Sequence, residues 1–170
     1  FGAFWNTSLE FGVRKPGRTS SLVLRMLTMM PLKVGDEVYL DMPDFSGGTL
    51  SCETIVASPV DDAWGSSRWV GAEKRIIFPV VQDIPQGEFV SIFVPSTATV
   101  TLPADGVNSD TQVYISSNAV LGPVLQTRVL TMPSIGFFGA CLDSQLAFGL
   151  DPRIRISVPI QFNFTYNASL

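Results

Sequence analysis

From residue 154 to residue 166, apolar and polar side chains alternate. Ile154, Ile156, Val158, Ile160, Phe162, Phe164 and Tyr166 are separated by Arg155, Ser157, Pro159, Gln161, Asn163 and Thr165. Extended backbone sends successive side chains to opposite faces, whereas a helix would scatter this set around its axis. The spacing predicts a β-strand, oily on one face and polar on the other. At about 3.3 Å per residue such a strand would run roughly 40–50 Å. Typical strands hold about 5–6 residues, so this one either bends to serve two sheets or overhangs its own domain.

The same period recurs in shorter pieces: SLVLRML (21–27), DEVYLDM (36–42), TLSCETIVA (49–57), KRIIFPVV (74–81), EFVSIFV (88–94), ATVTL (98–102) and TQVYISS (111–117). Turn formers divide them at Val34-Gly35-Asp36, Ser46-Gly47-Gly48, Pro85-Gln86-Gly87, Pro103-Ala104-Asp105-Gly106 and Gly122-Pro123. Many short strands punctuated by glycine and proline predict an all-β antiparallel sandwich. One internal echo fits two facing sheets. PLKVGDEVYLDMP matches DIPQGEFVSIFVP, so that Leu32 falls on Ile84, Gly35 on Gly87, Val38 on Val90 and Leu40 on Ile92. Shared turn chemistry alone would also produce that match.

A larger repeat sets the organisation. FGAFWNTSLEFGV at the start returns as FGACLDSQLAFGL: Phe1, Gly2, Ala3, Leu9, Phe11 and Gly12 recur at Phe138, Gly139, Ala140, Leu146, Phe148 and Gly149. Fixed-period self-similarity marks tandem units. Residues 1–137 read as one sandwich unit, with 1–18 as a linker or strand, and 138–170 as the start of the next unit or a joining strand. Two copies of the same opening cannot both sit in one domain. The surplus copy carries Ile154, Ile156, Val158, Ile160, Phe162, Phe164 and Tyr166. At about 1.5–3 kcal/mol for each fully buried side chain, leaving that face wet is costly and invites aggregation. Two solutions are open: addition to the sheet of a neighbouring copy, head to tail, or a covalent tandem array.

Composition restricts the function. Of 170 residues 46% are apolar and 15% charged, against a usual charged share of about 25%, so polar uncharged residues, partners or sugars must cover much of the surface. The net charge of −4 argues against a nucleic-acid partner. No stretch approaches the ~18 apolar residues of a membrane span. The chain begins at Phe1, which reads as a processed product or a segment of something longer. Asn-x-Ser/Thr acceptor triplets occur at Asn6, Asn163 and Asn167, the last two on the polar side of the C-terminal alternation, so covalent N-glycans are expected. Cys52 and Cys141 are too few for a metal site. They are either two buried thiols or, in an oxidising compartment, a disulfide.

Catalytic chemistry has little to draw on. There is no histidine, hence neither the commonest general base nor the commonest zinc ligand, and no Gly-x-Ser-x-Gly elbow. The adjacent Asp61 and Asp62 would point to opposite faces of a strand. Asp105, Asn108 and Asp110 do not follow a calcium-loop spacing and read as a turn bonding its own backbone. Arg14, Lys15 and Arg18 surround a Pro-Gly turn and read as solvated. Trp64 and Trp69 read either as core packing or as a sugar-stacking face. No catalytic residue, metal or cofactor is expected.

LKVGDEVYLDMPDFSG, IIFPVVQDIPQGEFVSIFVP, TLPADGV, VYISSNAVLGPV and PSIGFFGA together resemble a tandem repeat of very large surface proteins of algae and other protists. The likeness runs through Phe45, Trp64, Gly87, Pro103, Asn118, Gly122, Pro123 and Phe138 and covers nearly the whole chain. It implies immunoglobulin-like sandwiches and an extracellular, array-forming role without a known catalytic residue. The expected function is a structural subunit of an extracellular glycosylated filament, whose partners are copies of itself and glycans. The other reading is a carbohydrate-binding adhesin domain.

Overall fold

The computed structural model describes residues 2–47, 50–52, 55–56, 62–108, 111–136, 141–148 and 160–166. The strands are β1 (Phe4–Phe11), β2 (Leu22–Thr28), β3 (Glu37–Asp41), β4 (Leu50–Cys52), β5 (Ile55–Val56), β6 (Ser67–Val70), β7 (Arg75–Pro79), β8 (Phe89–Val94), β9 (Tyr114–Ser117), β10 (Val124–Arg128), β11 (Cys141–Phe148) and β12 (Ile160–Tyr166). The one helical element among the described residues is a single 3-10 turn, Ser96–Ala98. Two antiparallel sheets form a sandwich, one ordered β1-β2-β8-β5 and the other β10-β9-β3-β7-β6-β4, while β11 and β12 pair with each other as a third, two-stranded sheet. The all-β antiparallel architecture expected from the alternation is the one observed.

Alternation becomes packing in a simple way. Leu22, Leu24 and Met26 of β2 and Val90, Ile92 and Val94 of β8 line the inner face of the smaller sheet. Val38 and Leu40 of β3, Ile76 and Phe78 of β7 and Ile115 of β9 supply the facing layer. These residues belong to one continuous core with Phe11, Phe45, Trp64 and Trp69. Phe11 stacks on Phe45 at 5.8 Å, and Trp64 meets Phe78 edge-on at 6.3 Å, both favoured aromatic geometries.

The echo between residues 31–43 and 83–95 has a structural counterpart. β3 and β8 occupy opposite sheets, and the matched residues Leu32 and Ile84 exchange both backbone hydrogen bonds, at 2.9 and 2.8 Å. Gly35 and Gly87 hold equivalent turns at φ +94° and +86°, a region that disfavours any side chain. The two units are thus related about the Leu32–Ile84 bridge, one entering each sheet.

Polar side chains lock the ends of the sandwich. Asp36 is buried and accepts the backbone N–H groups of Lys33 at 2.8 Å and Val120 at 3.1 Å. Asn118 Oδ1 accepts Glu37 N–H at 2.6 Å, and the Ser117 hydroxyl donates to Glu37 O at 3.0 Å. The Gly-Asp turn and the Ser-Asn-Ala segment are therefore two halves of one clamp. After β10 the chain crosses to the other sheet and lies parallel to β1: Thr131 donates to Thr7 O at 3.2 Å and accepts from Leu9 N at 3.0 Å.

Several expectations differ from the structure. TLSCETIVA does not form one strand: β4 joins the larger sheet and β5 the smaller one. ATVTL forms no ladder. Its Thr99 turns back at φ +57°, and Thr101 makes only isolated bridges to Thr19 and Ser46. β6 and β10 were not evident from the sequence.

Candidate assembly hairpin and modification sites

β1 and β2 form the opening hairpin of the sandwich. Its register pairs Phe4 with Thr28, Ser8 with Arg25, Leu9 with Leu24, Glu10 with Val23 and Phe11 with Leu22, and the ladder slips once, between Trp5 and Ser8. The slip places Asn6 at φ +50°, a left-handed conformation that asparagine tolerates better than most residues. On the inner side β2 is paired along its length with β8, Leu24 opposite Ile92 and Arg25 opposite Ser91. Arg25 also pairs with Glu10 on the outer surface.

β11 and β12 reproduce that hairpin. Cys141 pairs with Tyr166, Gln145 with Asn163, Leu146 with Phe162, Ala147 with Gln161 and Phe148 with Ile160, and the ladder slips between Cys141 and Asp143. Each of these pairs is a β1–β2 pair displaced by 137 on the first strand (Leu9 to Leu146) and by 138 on the second (Leu24 to Phe162). The first strand has the same bounds after displacement, Phe4–Phe11 becoming Cys141–Phe148. Each first strand carries one extra residue, but at different points: β1 slips between Trp5 and Ser8 and β11 between Cys141 and Asp143, so Asp143–Thr165 and Ser144–Phe164 have no counterpart in the β1–β2 ladder. Two hairpins of one chain thus share strand lengths and the register of five pairs, including the continuous run from Ser8–Arg25 to Phe11–Leu22. Among the described residues, β12 has no partner on the edge that β2 gives to β8.

Of the residues assigned to joining, Ile160, Phe162, Phe164 and Tyr166 lie on β12, while Ile154, Ile156 and Val158 lie outside the described residues. The described part of that segment is one arm of a hairpin, not a lone strand. Asn6 is exposed at the β1 bulge beside exposed Trp5, a position open to a glycan. Asn163 is on β12, opposite Gln145, and Asn167 lies outside the described residues. Cys52 is on β4 opposite Ser67 and Cys141 on β11 opposite Tyr166; their side chains lie outside what the structure describes.

The remaining candidates become structural residues. Trp64 and Trp69 are 7% and 0% exposed, so neither presents a ring to a sugar. Asn108 accepts Thr111 N–H at 3.0 Å, while Thr111 Oγ1 accepts Asn108 N–H at 2.9 Å; Asp110 lies outside the described residues. Asp62 sits in a turn at φ +73° rather than on a strand, and Asp61 is outside the described residues. Arg14, Lys15 and Arg18 are exposed around their turn. A shallow cleft of about 460 Å³ opens beside Asp41, Glu73, Arg75 and Tyr114. Its buried carboxylate is already engaged: Asp41 accepts Arg75 Nε at 2.5 Å and Gln126 Nε2 at 3.3 Å. The Arg75 guanidinium also lies 4.8 Å from the Tyr39 ring centre. These contacts brace the outer face of the larger sheet. No family model and no curated protein matches the chain.

Proposed function

We propose that this protein is the structural unit of an extracellular, glycosylated filament, joined head to tail through its C-terminal β segment. The observation that carries this reading is the second hairpin. A sandwich that already holds its opening hairpin has no place for another, and a hairpin whose second strand has no further partner among the described residues is a template for strand addition. The exposed Val120, Leu121, Leu125 and Leu130, on the stretch leading toward that hairpin, add apolar surface suited to contact between units. Sequons at Asn6, Asn163 and Asn167 would supply the hydrophilic cover that a 15% charged chain otherwise lacks. The resemblance to repeats of algal and protist surface proteins points the same way, toward an immunoglobulin-like unit used in arrays. The adhesin reading loses its stacking platform with the burial of Trp64 and Trp69.

Deletion of residues 138–170 tests the proposal. The shortened chain should remain folded by circular dichroism and run as a monomer, while the full chain forms filaments under the electron microscope. Filaments of unchanged length from the shortened chain would refute it.

A further inference from the structure

The first hairpin shows what the second one needs. In the sandwich, β2 offers one edge to β8 and β1 offers its outer edge to Leu130 and Thr131. The residues supplying these contacts all lie in the body of the unit, residues 29–136. β11–β12 repeats the donor half of this arrangement at five pairs, four of them consecutive from Gln145–Asn163 to Phe148–Ile160, and what it lacks among the described residues is the acceptor half.

On the head-to-tail reading above, we infer that β11–β12 is the opening hairpin of a second sandwich, and that its partner is the body of a second copy of this unit, engaged through a β8 that is not closed by a β1–β2 hairpin of its own. The register follows from the displacement. Phe162 takes the place of Leu24 opposite Ile92 of the second body, Asn163 the place of Arg25 opposite Ser91, and Gln161 the place of Val23 opposite Phe93. Ile160 and Phe164 fall at the positions of Leu22 and Met26, which are core positions of the first sandwich. Asn163 falls at a position that in the first hairpin carries a half-exposed, outward arginine. A glycan there is compatible with closure of the second sandwich. The Glu10–Arg25 ion pair becomes Ala147 and Asn163, so the joint loses a charge pair and gains an acceptor for sugar. The unit of assembly is then a sandwich whose first two strands come from the preceding unit. The contact is not an added edge strand but a shared core.

A tandem chain tests this, with residues 29–136 joined directly after Tyr166, as Met29 follows Thr28 in the first unit. With Cys52→Ser and Cys141→Ser as background, Asn163→Cys is combined with Ser91→Cys in the appended body. The appended body should gain slow amide exchange comparable to the first sandwich. Oxidation should cross-link positions 163 and 91 in most molecules. The off-register pair Asn163→Cys with Phe93→Cys should cross-link at least ten-fold less. Phe162→Asp should abolish protection in the appended body and leave the first sandwich protected, an internal control for folding. An appended body that exchanges freely beside an intact first sandwich overturns the inference. So does one that cross-links instead to Arg25→Cys, having captured the first hairpin. Filaments of the unextended chain bear separately on head-to-tail assembly: their presence with a failed tandem chain refutes only the shared core, and their absence with a folded tandem chain refutes only the assembly.

Discussion

Asp36 shows how a single side chain can hold two loops. Its buried carboxylate accepts one N–H from its own turn and one from the Ser-Asn-Ala segment. Hydrogen bonds to a charged acceptor are worth about 1.5–3 kcal/mol, and removing the acceptor leaves buried donors unpaired. Asp36→Ala should therefore lower the unfolding free energy by about 3 kcal/mol in urea titration, and Asp36→Asn by less, since one acceptor oxygen remains. Tyr39 gives a pH prediction. Burial, and then its hydrogen bond to Glu37 at 2.7 Å, push its phenol from 10.0 up to about 12. Between those values the unfolded phenol has ionised while the folded one keeps its proton, so stability is full below pH 10 and falls as pH rises toward 12. Tyr39→Phe should flatten that alkaline loss, and the ultraviolet difference titration between the two proteins should centre near 12. Asp36 was legible from sequence only as part of a turn. Its second partner is 84 residues away, a distance that no local pattern encodes. The tryptophans were ambiguous for a related reason. Only the packing of Trp64 against Phe78, and the full burial of Trp69, separates core from binding face.

At the level of elements, legibility followed burial. β2, β3, β8 and β9 each carry an inner row against an outer row, and the period-two pattern located all four. β10 buries only Val124 and leaves Leu125 to Arg128 exposed, so it has no alternation to read. Residues 98–102 alternate as a strand would, with Ala98, Val100 and Leu102 buried, yet form no ladder. Alternation reports which side chains are inside, not which backbone is paired. The split of TLSCETIVA between sheets is hidden for the same reason. The two hairpins allow a direct comparison of equivalent positions. Leu24 is 1% exposed in the core, and a buried Leu→Ala change typically costs 2–5 kcal/mol. Leu24→Ala should lower the midpoint of thermal unfolding of the unassembled chain by about 4–20 °C, taking roughly 2–4 °C per kcal/mol. Phe162→Ala, at the matching register position of a hairpin that among the described residues pairs with neither sheet, should leave that midpoint unchanged. Its cost should appear only in assembly, as a higher critical concentration for filaments. A lowered midpoint for Phe162→Ala in the monomer would mean that the hairpin already closes the core of its own unit.

For the whole molecule, the forces at the proposed joint decide how a filament responds to solvent. The joint consists of backbone pairing along β12 and an apolar inner face, without the Glu10–Arg25 ion pair of the first hairpin. The chain has a net charge of −4 over 170 residues, so mutual repulsion between units is weak and is screened within about 8 Å at physiological ionic strength. Assembly should then change little between 50 mM and 500 mM sodium chloride and should strengthen in sodium sulfate, which favours burial of apolar surface. On the reading of separate chains sharing a core, guanidinium should return filaments to single units, and dilution from guanidinium should restore them. Sedimentation of assembled against free chain measures each response. Filaments that dissolve in moderate sodium chloride would place the joint on charge rather than on a hairpin core. Chains longer than one unit persisting in guanidinium under reducing conditions would show that successive sandwiches are joined by peptide bonds.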